Sequence, residues 1–349
     1  RETFEGVDFV GLKTLPYIRN DARRVLNMLS YGVAGLQACN HPNPPDIIIG
    51  SSPHPVAALL GWCLGRRYKV PFLFEVRDLW PQTAVDMGSI GEDGVIARSL
   101  YCWERFMYQK ADNIIVLLPE ARNYIGSLGI PAEKIDWLPN GVDLERFDRC
   151  EPLPSDNEIS RTISSLTDKF KVMYAGAHGP ANGLEVVLGA AKRLLSNQDV
   201  HFILVGDGPD KHRLIDLVER ESIRNVTFVN SVRKSLVPAV LREADLLVHS
   251  LKPLEVFQYG ISPNKLFDYL ASGKPIVMSA NPTNDIMGES RAGITVKAGD
   301  EAALAEAIMH MRHMSTEERN ALGRNGRKYV AKYHSMEVLG DRFCQILDR

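Results

Sequence analysis

The sequence predicts an α/β protein built from two doubly wound, parallel-sheet domains. Three observations predict it. Short apolar runs alternate with helix-length amphipathic stretches from end to end, a proline-bearing polar stretch interrupts them near the middle, and 349 residues suffice for two separate cores. A formal net charge of -2 argues against nucleic acid as a partner, because binding a phosphate backbone leaves a strongly basic domain. Five scattered cysteines, with no CxxC pair, read as reduced cytoplasmic thiols and not as a disulfide frame or a zinc site.

Taken in order, the strand candidates are Asp46–Ile49, Phe72–Glu75, Asn113–Leu117, Lys171–Ala175, Val200–Val205, Val226–Val229, Asp245–His249, Pro275–Met278 and Gly293–Val296. Helix-period segments such as Leu184–Ser196, Asp210–Glu221 and Glu301–Met314 lie between them. Strand–helix alternation of this kind implies parallel sheets covered on both faces. The uncharged stretch Ile47–Gly65 approaches the length of a membrane span, yet it holds Ser51, Ser52, Pro53, His54 and Pro55. A strand, a loop and a helix is the better reading, since loop backbone cannot be satisfied in lipid. The break falls at Asp148–Thr167, where Glu151-Pro-Leu-Pro-Ser-Asp-Asn-Glu is linker chemistry. It divides the chain into domains 1–148 and 149–332. The opening Arg1-Glu-Thr-Phe-Glu-Gly is polar and turn-like where a buried strand is normal, so a first strand–helix–strand unit is expected to be missing.

Three loops after strands in the second half suit phosphate or ribose. In Tyr174–Glu185, glycines 176, 179 and 183 let backbone approach a ligand, although a tight turn explains them equally well. In Leu204–Pro209, Gly206 and Gly208 allow a sharp turn, and the structural reading, with Asp207 capping a helix, is favoured. In Tyr259–Pro275, Ser262 or Asn264 would cap a helix starting near Lys265, whose free amides suit a diphosphate. Lys265 in a first turn opposes the helix dipole unless an anion compensates it. Asp268, one turn on, would accept from two ribose hydroxyls. An ordinary amphipathic helix with a charged outer face is the alternative.

That segment, with Leu138-Pro-Asn-Gly-Val-Asp143, the Gly176–Gly183 loop and Val205-Gly-Asp-Gly-Pro209, resembles the retaining glycosyltransferases of family 4, which have the GT-B fold of two Rossmann-like domains facing across a cleft. Phe74-Glu-Val-Arg-Asp-Leu-Trp-Pro81 is similar to a polysaccharide and O-antigen branch that includes N-acetylfucosamine transferases. The resemblance implies a nucleotide-sugar donor in the second domain, with UDP favoured over GDP by family frequency, and a glycan or polyprenyl-diphosphate-linked acceptor in the first. Asp268 matches the second glutamate of an E-x7-E motif and would hold the ribose. Asn264, Lys265 and Leu266 would lie along the diphosphate, and Val232 would meet the base through its backbone. Arg77 and Asp78 would face the reacting sugar. Two departures stand out. The first glutamate falls at Gly260, with Tyr259 or Glu255 as substitutes, and a basic pair is replaced by His178 and Asn182. The implied catalytic set is Lys265, Arg77, Asp78 and His178, and the implied donor contacts are Gly176, Asn182, Gly183, Gly206, Val232, Tyr259, Gly260, Ser262, Asn264, Leu266 and Asp268.

The resemblance implies no metal and no enzyme nucleophile, and the sequence shows no DxD triplet after a strand. Lys265 and backbone amides would stabilise the leaving diphosphate, whose oxygen takes the acceptor's proton. A nucleotide-sugar 2-epimerase of the same fold, a two-domain small-molecule binding protein and an inactive nucleotide-binding scaffold stay open as alternatives. The segment Asn20–Leu36 carries early basic residues and an apolar face of Val25, Leu26, Leu29, Val33 and Leu36. It reads either as a peripheral contact with the inner face of the cell membrane or as a core-packed helix. In relatives the last helix returns to the first domain, which implies the same for 333–349, with Phe343, Ile346 and Leu347 as its apolar contacts.

Overall fold

The computed structural model describes residues 2–4, 6–17, 22–39, 44–52, 54–155 and 157–348. Two compact units make up the chain, Arg1–Leu138 and Pro139–Arg349.

The first unit opens with β1 (Glu2–Phe4), β2 (Val7–Phe9) and helix α1 (Ala22–Ala38). Then come β3 (Ile48–Ser51), α2 (Pro55–Tyr68), β4 (Phe72–Val76), α3 (Gln82–Asp86), α4 (Val95–Lys110), β5 (Asn113–Val116), α5 (Ala121–Ser127) and β6 (Ile135–Trp137). Strands β3 to β6 pair in sequence as a parallel sheet, with Ile48 opposite Phe72 and Ile114 opposite Ile135. Alternate strand residues such as Phe72, Phe74, Ile114 and Val116 are buried with Met107 and Tyr108 of α4. Within 47–65 the described residues form β3 and α2, with Pro53 outside them, and His54 caps α2 through Nδ1, which accepts from the Ala57 amide at 2.9 Å. No helix among the described residues is long and apolar enough to cross a membrane.

Two features of this unit depart from expectation. The opening residues are not simply turn-like but pair as an antiparallel hairpin, Thr3 opposite Asp8, where Thr3 Oγ1 donates to Asp8 Oδ1 at 2.6 Å. Helix α1 packs on α2 through its glycines: a Cβ at Gly32 would fall 2.6 Å from Val56 and one at Gly35 2.3 Å from Leu60. Close backbone approach on that side turns the apolar stripe outwards. Val25, Leu26, Leu29, Val33 and Leu36 are all exposed, so among the described residues nothing covers this stripe.

The second unit begins with α6 (Leu144–Asp148) and α7 (Glu158–Ser164). The latter lies inside the stretch read as a linker, and its Ile159 is fully buried. There follow β7 (Phe170–Ala175), α8 (Glu185–Arg193), β8 (Val200–Val205), α9 (Lys211–Arg220), β9 (Val226–Val229), α10 (Val237–Arg242), β10 (Leu246–Ser250) and α11 (Asn264–Ala271). The unit closes with β11 (Ile276–Ser279), α12 (Ile286–Ser290), β12 (Gly293–Val296), α13 (Glu301–His313), α14 (Thr316–Tyr333) and α15 (Met336–Leu347). Ile346 of α15 is buried and Leu347 is exposed.

Its six strands are all parallel, in the order β12-β11-β10-β7-β8-β9. The chain winds outward from β7 through β8 to β9, then returns to the other side of β7 for β10, β11 and β12. Strand order therefore reverses between β7 and β10. At such a switch point the loops leaving the two strands diverge to opposite faces and open a crevice at the carboxyl ends. Val172, Met173, Leu246, Leu247 and Val277 are fully buried in this sheet, as two-sided coverage by helices requires.

Candidate functional site

The crevice at the switch point is formed by the loop after β7 and the loop after β10, which bear the first and third segments singled out above. They are laced together. Ser250 Oγ donates to the Asn182 carbonyl at 2.6 Å, and the Lys252 amide donates to the Ala181 carbonyl at 3.0 Å. Tyr269, one turn beyond Lys265 on α11, fixes that helix against β7. Its hydroxyl accepts from the Ala175 amide at 2.7 Å and donates to the Ala175 carbonyl at 3.0 Å. As a result, Lys265 is carried over the start of the β7 loop.

There the Lys265 ammonium donates to Tyr174 Oη at 2.7 Å and to Asn182 Oδ1, and it lies 4.8 Å from the centre of the Tyr174 ring. Asn182 Nδ2 and Tyr174 Oη both donate to the Ala177 carbonyl, at 2.8 and 2.7 Å, which locks the loop. A Cβ at Gly176 would sit 3.2 Å from Lys265 Cδ and Cε, so the glycine admits the lysine stem. Burial pushes the Lys265 ammonium down to about 7. Among the described residues its partners are neutral oxygens and a ring, so an incoming anion would bring the opposite charge they lack.

His178 and His249 are completely buried, and no ring nitrogen of either has a hydrogen-bond partner. Burial, with Lys211 next in effect, lowers His178 to about 4, while His249 is held well below the ordinary histidine value by burial and then Lys265. Both rings are thus neutral at physiological pH. Gly206 and Gly208 serve loop packing: a Cβ at Gly206 would lie 1.9 Å from the Gly176 carbonyl, and one at Gly208 2.5 Å from that of His178. Asp207 does not cap α9, whose N-cap is Asp210; its Oδ1 accepts from the Gly208 amide at 2.8 Å.

Helix α11 starts at Asn264, and Pro263 at its N-cap offers no side-chain hydrogen bond. Neither of the two caps expected from sequence forms. Ser262 Oγ instead accepts from the Asn140 amide at 2.9 Å, and its carbonyl accepts from Asn140 Nδ2 at 2.5 Å. Asn264 is exposed, whereas the Leu266 side chain is fully buried in the core and its amide donates to the Pro263 carbonyl at 3.0 Å. The amides of Asn264 and Lys265 then remain as the open donors of the helix end. Gly260 adopts φ 97° and ψ 179°, a conformation essentially confined to glycine. A glutamate at this position would be held in that strained conformation. Tyr259 precedes it in a short 3-10 turn, and Val232 follows β9, half-buried against the core. Gly183 takes φ 54° and ends the turn 180–182.

Asp268 lies on α11 one turn after Lys265, half-buried, and its Oδ1 accepts from the Arg146 guanidinium. Burial raises its carboxyl, and Arg146 and Lys234 oppose the rise. Sequence reasoning missed Tyr174, Tyr269 and Arg146. The two tyrosines stand in apolar runs where they read as core, and Arg146 stands 122 positions from its partner.

In the first unit, Arg77 and Asp78 follow β4, both reaching solvent, with the Arg77 amide donating to Ser52 Oγ at 3.0 Å. Asp78 lines a mostly apolar cavity of about 690 Å³ together with Arg24, Met28, Trp80, Ile96 and Leu100. Loss of water there raises its carboxyl, and Arg77 opposes the shift.

Comparison with known proteins agrees with this architecture. Residues 1–141 match the family described as a glycosyl transferase 4-like domain, and residues 169–313 match glycosyl transferases group 1. A protein of Escherichia coli K12 named as a colanic acid biosynthesis glycosyl transferase, WcaI, is 26% identical over 77% of this chain and 68% of its own length. An alpha-D-kanosaminyltransferase of Streptomyces kanamyceticus is 24% identical over 70% of this chain, and the alignment spans 62% of its length. Sucrose-phosphate synthase of Thermosynechococcus elongatus superposes with a TM-score of 0.75 at 20% identity, covering 97% of this chain and 82% of the synthase. Anabaena HepE in complex with UDP-glucose gives a TM-score of 0.68 at 18% identity over 87% of this chain and 78% of HepE. The fold is that of GT-B glycosyltransferases.

Proposed function

We propose that this chain, a glycosyltransferase by both of its domains, takes a sugar from a UDP-linked donor and passes it with retention to a glycan or polyprenyl-diphosphate-linked acceptor. The observation that carries the proposal is the convergence at the β7/β10 switch point of a buried ammonium, an open helix end and a half-buried carboxylate. Lys265 and the amides of Asn264 and Lys265 would receive the diphosphate, Asp268 the ribose and the Val232 backbone the base. Tyr259, Gly260 and Gly176 would border the donor sugar. His178, fully buried and neutral, backs the loop and neither reaches the ligand nor supplies charge. In the transition state, negative charge grows on the leaving diphosphate, so a cation fixed beforehand lowers the barrier without reorganising. The acceptor hydroxyl's proton passes to the departing phosphate oxygen, and the proposal calls on no metal.

Asp78 and Arg77, beside the apolar cavity of the first unit, are assigned to the acceptor. A role in cell-surface polysaccharide assembly follows the name of the Escherichia coli relative, and an N-acetylfucosamine donor is the finer form of the same reading. The exposed apolar stripe of α1, with Arg23 and Arg24 at its start, supports a peripheral seat on the membrane where a lipid-linked acceptor resides.

The test is calorimetric titration of UDP and GDP, without metal, into the wild type and Asp268→Ala. One nucleotide should bind and lose about tenfold in affinity in the variant, the scale of a hydrogen bond to a charged group. No binding of either nucleotide by folded protein would overturn the donor site.

A further inference from the structure

The carboxylate assigned to the ribose is held by another side chain of the second unit. Arg146 lies in the first turn of α6, and its backbone is fixed there because the Asp143 side chain caps the helix by accepting from the Arg146 amide at 3.3 Å. Its guanidinium carbon stands 5.4 Å from the centre of the Phe147 ring, and Phe147 is buried. From this seat one Nη donates to Asp268 Oδ1. A second tie joins α6 to the far end of α11. Arg327 donates to Asp148 Oδ1 at 2.6 Å and to the Ala271 carbonyl at 2.9 Å. Arg146 is thus seated by its own helix cap and the Phe147 ring, and Arg327 bridges α6 and α11.

The pairing is single-armed. Arg146 Nε is buried with no hydrogen-bond partner, and Asp268 Oδ2 has no protein partner among the described residues. Arginine–carboxylate pairs are frequently two-bond forks that use both oxygens, and this one is not. A carboxylate offers roughly four lone-pair sites, so one bond to Arg146 leaves enough for two hydroxyl donors. The carboxylate is also desolvated, which raises it, and the guanidinium opposes that rise while leaving the second oxygen uncovered.

We propose that Arg146 is a positioning residue for the nucleotide: it grips one oxygen of Asp268 so that the other is presented to the 2′- and 3′-hydroxyls of a ribose. The proposal rests on the reading of Asp268 given above. It predicts that loss of Arg146 weakens only the part of nucleotide affinity that the ribose hydroxyls supply.

The experiment titrates UDP and GDP, each beside its 2′,3′-dideoxy form, into wild type, Arg146→Gln, Arg146→Lys and Asp268→Asn. Wild type should prefer the ribose form by about tenfold or more. Arg146→Gln should lose most of that preference, while its affinity for the dideoxy form stays within about twofold. Arg146→Lys keeps the charge without the planar reach and should fall between the two; it also carries the test if the glutamine variant does not fold. An equal loss for both nucleotide forms would mean that Arg146 merely supports the fold, and tighter ribose binding in Arg146→Gln would mean that it competes for Asp268. Either result overturns the proposal, as would full ribose preference in Arg146→Lys. If wild type and Asp268→Asn both fail to distinguish ribose from dideoxyribose, the ribose reading of Asp268 fails first and the role of Arg146 falls with it.

Discussion

The two units use the same materials and end with different chemistry. In the first, β3 to β6 pair in chain order, so among the described strands no crevice opens by topology, and Asp78, on the loop after β4, lines an apolar cavity. In the second, strand order reverses beside β7, and two loops distant in sequence are laced by a backbone bond and a serine hydroxyl beside the Lys265 ammonium. The difference teaches that a lysine, an asparagine and a few glycines become a site through strand order, which puts carboxyl-end loops on both sides of a gap.

The largest effect should come from the ammonium itself. Lys265→Ala should lower turnover by tenfold to a hundredfold, in line with removal of a preorganised charge stabiliser. Steady-state rates over a range of pH would check it. Between pH 7 and roughly 10 the unfolded chain keeps a proton that folded Lys265 has released, so stability of the unliganded wild type should rise with pH across that window. The variant should lack that rise. Binding of a diphosphate draws the proton back, so wild-type nucleotide affinity should fall as pH climbs above about 7. A flat affinity profile would mean that Lys265 meets no anion, and the contrast between the units would lose its chemical content.

A smaller effect tests the loop after β10. Gly260→Glu would restore the residue expected from the resemblance, and on sequence alone it should improve donor binding. The structure predicts the reverse. A side chain forced to φ 97° costs about 1 to 3 kcal/mol, and thermal unfolding should register the loss. If the variant melts as wild type and binds nucleotide more tightly, the loop relaxes more readily than its geometry indicates.

Much of this was legible in the sequence because periodicity is local. Nine strands of the two parallel sheets stand within a residue or two of where apolar runs placed them, since a doubly covered strand must be apolar throughout. What escaped is non-local or too short. β6 is three residues long, too brief for any run to stand out, and α7 follows directly on Pro152, Pro154 and charged residues that read as linker. The caps expected at Ser262 and Asn264 were misread because Ser262 is claimed by Asn140, which lies 122 positions earlier. Lys265 was visible as an electrostatic oddity at a helix start, but its partners Tyr174 and Asn182 follow from strand order, which no window of sequence contains. The outward turn of the α1 stripe was likewise decided elsewhere, by Val56 and Leu60 of α2 meeting Gly32 and Gly35.

The smallest effect concerns that stripe and sharpens the contrast from the other side. If the apolar face of α1 is a surface for contact and not part of the first unit's core, Leu29→Glu should change folding stability by no more than about 0.5 kcal/mol, as exposed substitutions do. Its measurable consequence should lie in sedimentation with anionic phospholipid vesicles, where a negative charge on the stripe opposes both apolar insertion and lipid attraction. A leucine packed in a core is worth about 1.5 to 3 kcal/mol, so a drop of that size in the melting experiment would show that the face is covered in the folded protein. Unchanged stability with lost vesicle binding would instead mark a division of labour, in which the second unit concentrates charge inside a crevice and the first displays apolar surface outside its own core.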